Sequence, residues 1–144
     1  MTDATFDSTG AASLQGAASM KLRVAAAAVL LFFASAAHAG MVEIVWDAKH
    51  RNEQQLSIVP GGFAELCGRL TAGATVQWQF EANAPTSFNI HYHQGKAVVF
   101  PAKEENTLRS AGTLDVASDR DYCWMWTNRT DASVGVNVQL SRKP

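Results

Sequence analysis

Apolar and polar residues alternate with a period of two through much of the chain after Ala39, and no helix-period segment of useful length appears there. Residues 76–80 alternate Val, Trp and Phe with glutamine, and residues 134–140 alternate valine or leucine with small or polar side chains. About eight such short segments are separated by turn residues such as Asn83-Ala84-Pro85. The pattern predicts an all-β fold, a single antiparallel β-sandwich that forms one domain over residues 40–144.

The N-terminal part of the chain has the composition of an export signal. Met20 is followed by basic residues and by the apolar run 24–33, and Ala37-His38-Ala39 fits the small-residue cleavage rule. We interpret residues 20–39 as a secretory signal peptide and residues 1–19 as a misannotated extension ahead of the true start. No later segment is long enough to span a bilayer, so we predict a periplasmic or secreted protein without a membrane span after cleavage.

Charge and cysteine content narrow the class of protein further. The formal net charge is −1, with no basic patch, and this argues against a nucleic-acid partner. The two cysteines are Cys67 and Cys123. Export to an oxidising compartment favours a disulfide between them, and the alternative is a pair of thiolates that act as soft-metal ligands.

The segment 87–93, Ser-Phe-Asn-Ile-His-Tyr-His, is predicted to be a strand that pairs with residues 96–100 through a turn at Gln94-Gly95. Residues 101–110 are predicted to form a charged loop. Alternation within the strand places His91 and His93 on one polar face.

Two imidazoles at this spacing can converge on one metal ion, and imidazole suits copper and zinc. Glu81, on the polar face of a probable neighbouring strand, and Met125, on the same strand face as Cys123, are candidate further ligands. A combination of His and Met in an exported protein favours copper. The alternatives are a polar face on which His bonds to the backbone or to Asn89, and a pH-sensing or polar ligand-binding pair.

Trp124 and Trp126 lie at positions i and i+2 and share a strand face with Tyr122. The pattern fits a buried aromatic core. It also fits an aromatic binding surface for a sugar, a peptide or a lipid. Catalytic patterns are poor, since the chain has no Gly-rich phosphate loop and no Gly-x-Ser-x-Gly elbow, so we predict that it is not an enzyme.

The order of motifs from Cys67 onward resembles the GOLD (Golgi dynamics) domain, a jelly-roll-like β-sandwich, over about residues 63–141. The motifs are Cys67-x-x-Leu70-x-x-Gly73-x-x-Val76-x-Trp78-x-Phe80, then Phe88-Asn89-Ile90-His91, then Tyr122-Cys123-Trp124-Met125-Trp126-Thr127-Asn128. The resemblance implies a Cys67–Cys123 disulfide and binding rather than catalysis. Relatives of the transport-receptor type carry a coiled coil and a membrane anchor after the domain, and since this sequence has neither, cargo transport is not carried over.

Together these patterns predict an exported, non-enzymatic binding module. In the sharper hypothesis it binds a transition metal, copper in preference to zinc, through His91 and His93. In the alternative it is a GOLD-like interaction module of the periplasm or cell envelope, without metal, whose partner is an unidentified envelope protein.

Overall fold

The computed structural model describes residues 40–143, so the predicted extension and signal peptide lie outside the described residues. The described residues belong to one compact unit, and their regular structure consists of β-strands. Among these residues no helix is long and apolar enough to cross a membrane. The strands are β1 (Met41–Glu43), β2 (Arg51–Ile58), β3 (Phe63–Leu70), β4 (Thr75–Gln94), β5 (Ala97–Asp115), β6 (Arg120–Thr127) and β7 (Val134–Lys143).

The strands join into one sheet in the order β1-β3-β6-β4-β7-β2, with β5 paired to β4. All neighbours run antiparallel except β1 and β3, which run parallel. The predicted all-β class is therefore confirmed. The arrangement differs from the prediction, because within residues 40–143 the hydrogen bonds join seven strands into one curled sheet instead of about eight strands in two separate sheets.

Strands β4 and β5 form a long hairpin that turns at Gly95, whose φ is 63°. The predicted pairing of the histidine strand with the residues that follow it is confirmed, since His93 lies opposite Val98. The predicted turn at Asn83-Ala84-Pro85 is instead part of β4, and the predicted charged loop at 101–110 is part of β5. Register shifts between Glu81 and Tyr92 interrupt the ladder, and such irregularities bend a strand and increase its twist.

β4 changes partners at this bend, and the change divides the sheet into two halves. Residues 75–82 of β4 pair with β7, which in turn pairs with β2, and we call this part the amide half. Residues 87–92 of β4 pair with β6, followed by β3 and β1, and we call this part the histidine half. β5 follows β4 through both halves.

Aromatic rings from the two halves meet in the core. The Phe88 ring centroid lies 5.0 Å from that of Trp78, 4.7 Å from Phe80 and 5.4 Å from Trp126. Trp124 and Trp126 have no exposed surface. They therefore do not form the predicted aromatic binding surface, because alternation along β6 directs both side chains inward.

Asn128, directly after β6, is fully buried and forms hydrogen bonds both to the end of β2 and within the β6–β7 loop. Its Nδ2 lies 3.0 Å from the carbonyl oxygen of Ile58, at the end of β2, and 2.7 Å from that of Ala132. Its Oδ1 accepts a hydrogen bond from the backbone N–H of Thr130 at 2.8 Å. The β2–β3 turn and the β6–β7 loop are thereby fixed to each other.

Candidate functional site

A row of three side chains crosses the outer face of the histidine half. Cys67 on β3 lies opposite Cys123 on β6, and Cys123 lies opposite His91 on β4. Residues opposite one another in neighbouring strands project from the same face, so the strand register brings together residues that are far apart in the sequence.

Cys67 and Cys123 form a disulfide with a Cα–Cα distance of 4.1 Å, as predicted. Cys67 is 7 % exposed and Cys123 is half-buried. The bond closes a loop with a sequence separation of 56 residues. Neither sulfur is a thiolate in this state, so the alternative in which two free cysteines bind a metal does not apply to the oxidised protein.

His91 is buried on this face, at 7 % exposure. Its Nδ1 lies 2.8 Å from Oδ1 of Asn89, two residues earlier on β4. Because an amide oxygen can only accept a hydrogen bond, Nδ1 carries the proton in this pair, and Nε2 of the neutral ring keeps a free lone pair. A histidine whose other nitrogen is held in this way is suited to bind a metal.

Burial lowers the pKa of His91 from its ordinary value of 6.5, because desolvation disfavours the imidazolium form. The carboxylate of Glu65 opposes this shift, and His93 adds to it by like-charge repulsion. The net direction is downward, so at neutral pH the ring is mainly neutral and can act as a ligand or as a proton acceptor.

His93 is exposed beside His91, with ring centroids 5.7 Å apart and ring planes 82° to each other. Met125 lies on the same face, opposite Asn89 on β4 and Glu65 on β3. Glu81 lies on the amide half, opposite Arg109 and Asn137. The structure thus groups His91, His93 and Met125 on one face and does not bring Glu81 to them.

Glu65 is the residue that sequence reasoning missed. One carboxylate oxygen of Glu65, one ring nitrogen of His91 and the sulfur of Cys123 all lie within 4.8 Å of one another. Glu65 precedes Cys67 by two positions on a strand and therefore shares its face. That spacing was visible in the sequence, but the pairing of β3 with β6 and of β6 with β4 was needed to place Glu65 near His91.

The site opens into a surface depression with a mixed lining. The lining includes Glu43, Arg69 and Asp121 as charged groups. On the β5 side, the half-exposed ring of Phe100 lies 6.0 Å from the His91 ring. The face therefore combines a neutral imidazole, a carboxylate, a disulfide and exposed apolar surface, a set suited to binding.

The fold is similar to that of three solved periplasmic proteins, each described as a lysozyme inhibitor of g-type lysozyme. PliG of Aeromonas hydrophila is 14% identical, with a TM-score of 0.56, over 74% of this chain and 100% of that protein. PliG of Salmonella Typhimurium is 11% identical, with a TM-score of 0.54, over 73% and 99%. A mutant of PliG from Escherichia coli is 13% identical, also with a TM-score of 0.54, over 73% and 99%.

At these identities the likeness establishes the fold alone. No protein-family model matches the chain, and no curated protein matches it either. The resemblance to the GOLD domain stays a prediction.

Proposed function

We propose that this chain is an exported, non-enzymatic domain that binds a lysozyme, with g-type lysozyme as the first candidate. The observation that carries the proposal is that the chain spans the whole length of a solved periplasmic inhibitor of that enzyme. The export signal predicted at residues 20–39 and the disulfide are consistent with a protein that meets such a partner outside the cytoplasm.

Exposed apolar residues on the histidine half support a protein partner. Of the seven exposed large apolar side chains among residues 40–143, four lie on its outer face: Met41, Phe63, Val98 and Phe100. Met41 also lines the depression on this face, together with charged groups of both signs. Apolar anchors within a polar border are the usual composition of a protein-binding surface.

The test is inhibition of g-type lysozyme by the purified domain from Gly40 onward, with binding measured by biolayer interferometry. We expect stoichiometric inhibition. The variant Phe63→Ser/Phe100→Ser is expected to bind at least about tenfold more weakly, which corresponds to about 1.4 kcal/mol. Val45→Ser/Leu108→Ser is the matched control, because both residues are exposed and neither belongs to the four on this face. No inhibition of g-type, c-type or i-type lysozyme at excess domain would reject this proposal.

We also propose a second candidate function, in which the oxidised domain binds copper, or less favourably zinc, through His91 and His93. Two imidazoles on one tetrahedral ion have ring centres about 5 Å apart, and the two rings here are 5.7 Å apart. Met125, on the same face, offers a thioether, a ligand that favours Cu(I).

Isothermal titration of the oxidised domain with Cu(I), Cu(II) and Zn(II) tests this second candidate. We expect a Kd below about 1 μM that is lost in His91→Ala/His93→Ala. His50→Asn is the control, because His50 is exposed between β1 and β2 and has a positive φ that asparagine tolerates. Absence of binding, or binding that the double variant retains, would contradict it.

A further inference from the structure

The disulfide lies among side chains that could bind a metal if its sulfurs were free. The sulfur of Cys123 lies within 4.8 Å of a ligand atom of Glu65 and of one of His91. Cys67 lies directly opposite Cys123, and its sulfur is 4.0 Å from Oε2 of Glu65. On the outer face of the histidine half, the Glu65 carboxylate therefore lies near both sulfurs, and the His91 imidazole lies near the sulfur of Cys123.

We propose that reduction of the Cys67–Cys123 disulfide converts this group into a Zn(II) site whose ligands are Cys67, Cys123, His91 and Glu65. This inference is independent of lysozyme binding. It also differs from the second candidate function, which uses His93 and requires no reduction. Four ligands of sulfur, nitrogen and oxygen type satisfy the tetrahedral preference of zinc.

A dithiol can reduce the bond: it attacks the disulfide, forms a mixed disulfide and leaves as a cyclic disulfide. The dithiol is oxidised by two electrons, and the two protein sulfurs accept these electrons with two protons. When Zn(II) binds, the Cys67 and Cys123 thiols lose those two protons to solvent and form two zinc–sulfur bonds.

The strand register supplies the separation that a metal site needs. Zinc–sulfur bonds of about 2.3 Å at the tetrahedral angle place two thiolates about 3.8 Å apart. Cysteines that face each other across β3 and β6, with a Cα–Cα distance of 4.1 Å, can reach this separation by rotating their side chains. The backbone ladder from Phe63 to Leu70 pairs the two strands on both sides of the disulfide.

Asn89 prepares His91 for this role. Because Asn89 Oδ1 accepts the Nδ1 proton at 2.8 Å, Nε2 is the nitrogen left to bind the metal. Metal-binding histidines usually donate their second N–H to such an acceptor, and loss of the acceptor typically weakens metal binding about 10–100-fold. Asn89 is thus assigned as a positioning residue.

The experiment compares the oxidised domain with the domain reduced by a phosphine that is then removed under anaerobic conditions. Co(II) serves as a spectroscopic probe for the zinc site. We expect one equivalent of Co(II) to give a thiolate-to-cobalt charge-transfer band in the reduced protein alone, and Zn(II) to displace it. Asn89→Ala is expected to weaken Co(II) binding about 10–100-fold. His91→Gln and Glu65→Gln are expected to weaken it as well, and His50→Asn is expected to leave it unchanged.

Near-UV circular dichroism from the buried tryptophans reports whether the reduced domain remains folded. If reduction alone unfolds it, we expect Zn(II) to restore the signal. Three results would overturn the proposal: no thiolate band in the reduced protein, a band that His91→Gln retains at full affinity, or an unfolded reduced protein that Zn(II) does not refold.

Discussion

The two halves of the sheet share one aromatic core but present different chemistry on their outer faces. On the amide half, Gln79 Nε2 donates to Gln139 Oε1 at 2.6 Å, and Gln55 Nε2 donates to Asn137 Oδ1 at 3.1 Å. Each pair shares one hydrogen bond between exposed amides. On the histidine half, His91 keeps a free nitrogen beside Glu65 and the disulfide. The histidine half thus carries a buried imidazole next to a carboxylate, a grouping that can bind a ligand, whereas the amide half presents exposed amides that bond to each other.

Phe88→Ala is expected to have the largest effect on stability, because it removes a buried ring from the core that both halves share. The side chain is 1 % exposed and contacts rings from both halves, so we expect a loss of about 3–5 kcal/mol in the free energy of unfolding. Urea denaturation followed by tryptophan fluorescence measures it. Phe100→Ala is the control, since Phe100 is 50 % exposed, and its cost should stay within about 0.5 kcal/mol. Two separate transitions in the wild type would contradict a single core.

The disulfide belongs to the histidine half alone, and its loss is the next largest effect. Cys67→Ser/Cys123→Ser should lower the free energy of unfolding by about 4 kcal/mol, from the loop-closure entropy of a 56-residue separation. Chemical denaturation of oxidised wild type and of the serine variant gives the difference. A stability equal to that of the wild type would show that the β3–β6 ladder alone fixes this half.

Gly112→Ala introduces its change on the amide half, next to Trp78. A Cβ at this position would lie 2.6 Å from Cζ2 of Trp78, which is itself buried, so we expect a loss of about 1–3 kcal/mol. Thermal unfolding measures the effect. Gly135→Ala is a matched control on the neighbouring strand β7, because its Cβ would meet its nearest atom, in Asn83, at an ordinary 3.7 Å. Equal stabilities of the two variants would contradict the close packing of Trp78 on β5.

The smallest expected effect is a pH dependence that belongs to the histidine half. The pKa of His91 in the folded protein is lower than its ordinary value of 6.5. At a pH between these two pKa values, His91 is therefore protonated more often in the unfolded chain than in the folded protein. The free energy of unfolding should therefore fall as the pH drops from about 6.5 towards the folded-state pKa.

In His91→Gln this part of the pH dependence should be smaller, as measured by urea denaturation between about pH 7 and about pH 5. His50→Asn should retain the dependence of the wild type. A His91→Gln profile that superimposes on that of the wild type would show that His91 has the same pKa in the folded and unfolded states.

The sequence predicted strands wherever one side of the chain is buried, because burial of one face produces the period-two pattern. The prediction from the sequence was wrong at two places in the β4–β5 hairpin. Asn83-Ala84-Pro85 has the chemistry of a turn, but long-range pairing on both sides carries β4 through it. Among the strands that the structure describes, β5, which contains residues 101–110, pairs with β4 alone, and an exposed edge strand can be charged and contain proline without breaking the fold.

The candidate site was predictable to the extent that it depends on one strand. Alternation correctly placed His91 and His93 together, and Met125 on the face of Cys123. Glu65 could not be placed near His91, because their proximity depends on the pairing of β3, β6 and β4, which are distant in the sequence. Glu81 was expected near the histidines on a neighbouring strand, whereas it lies on the same strand before the bend.

The buried amide of Asn128 has a consequence for producing the protein. Asn128-Arg129-Thr130 matches the acceptor sequence for N-linked glycosylation, and a eukaryotic secretory pathway adds the glycan to Nδ2. That nitrogen faces the carbonyl oxygens of Ile58 and Ala132 with no exposed surface, so an attached sugar has no space in the folded domain. Material secreted from yeast or mammalian cells would need this sequon removed at Thr130, whereas bacterial export leaves the loop intact.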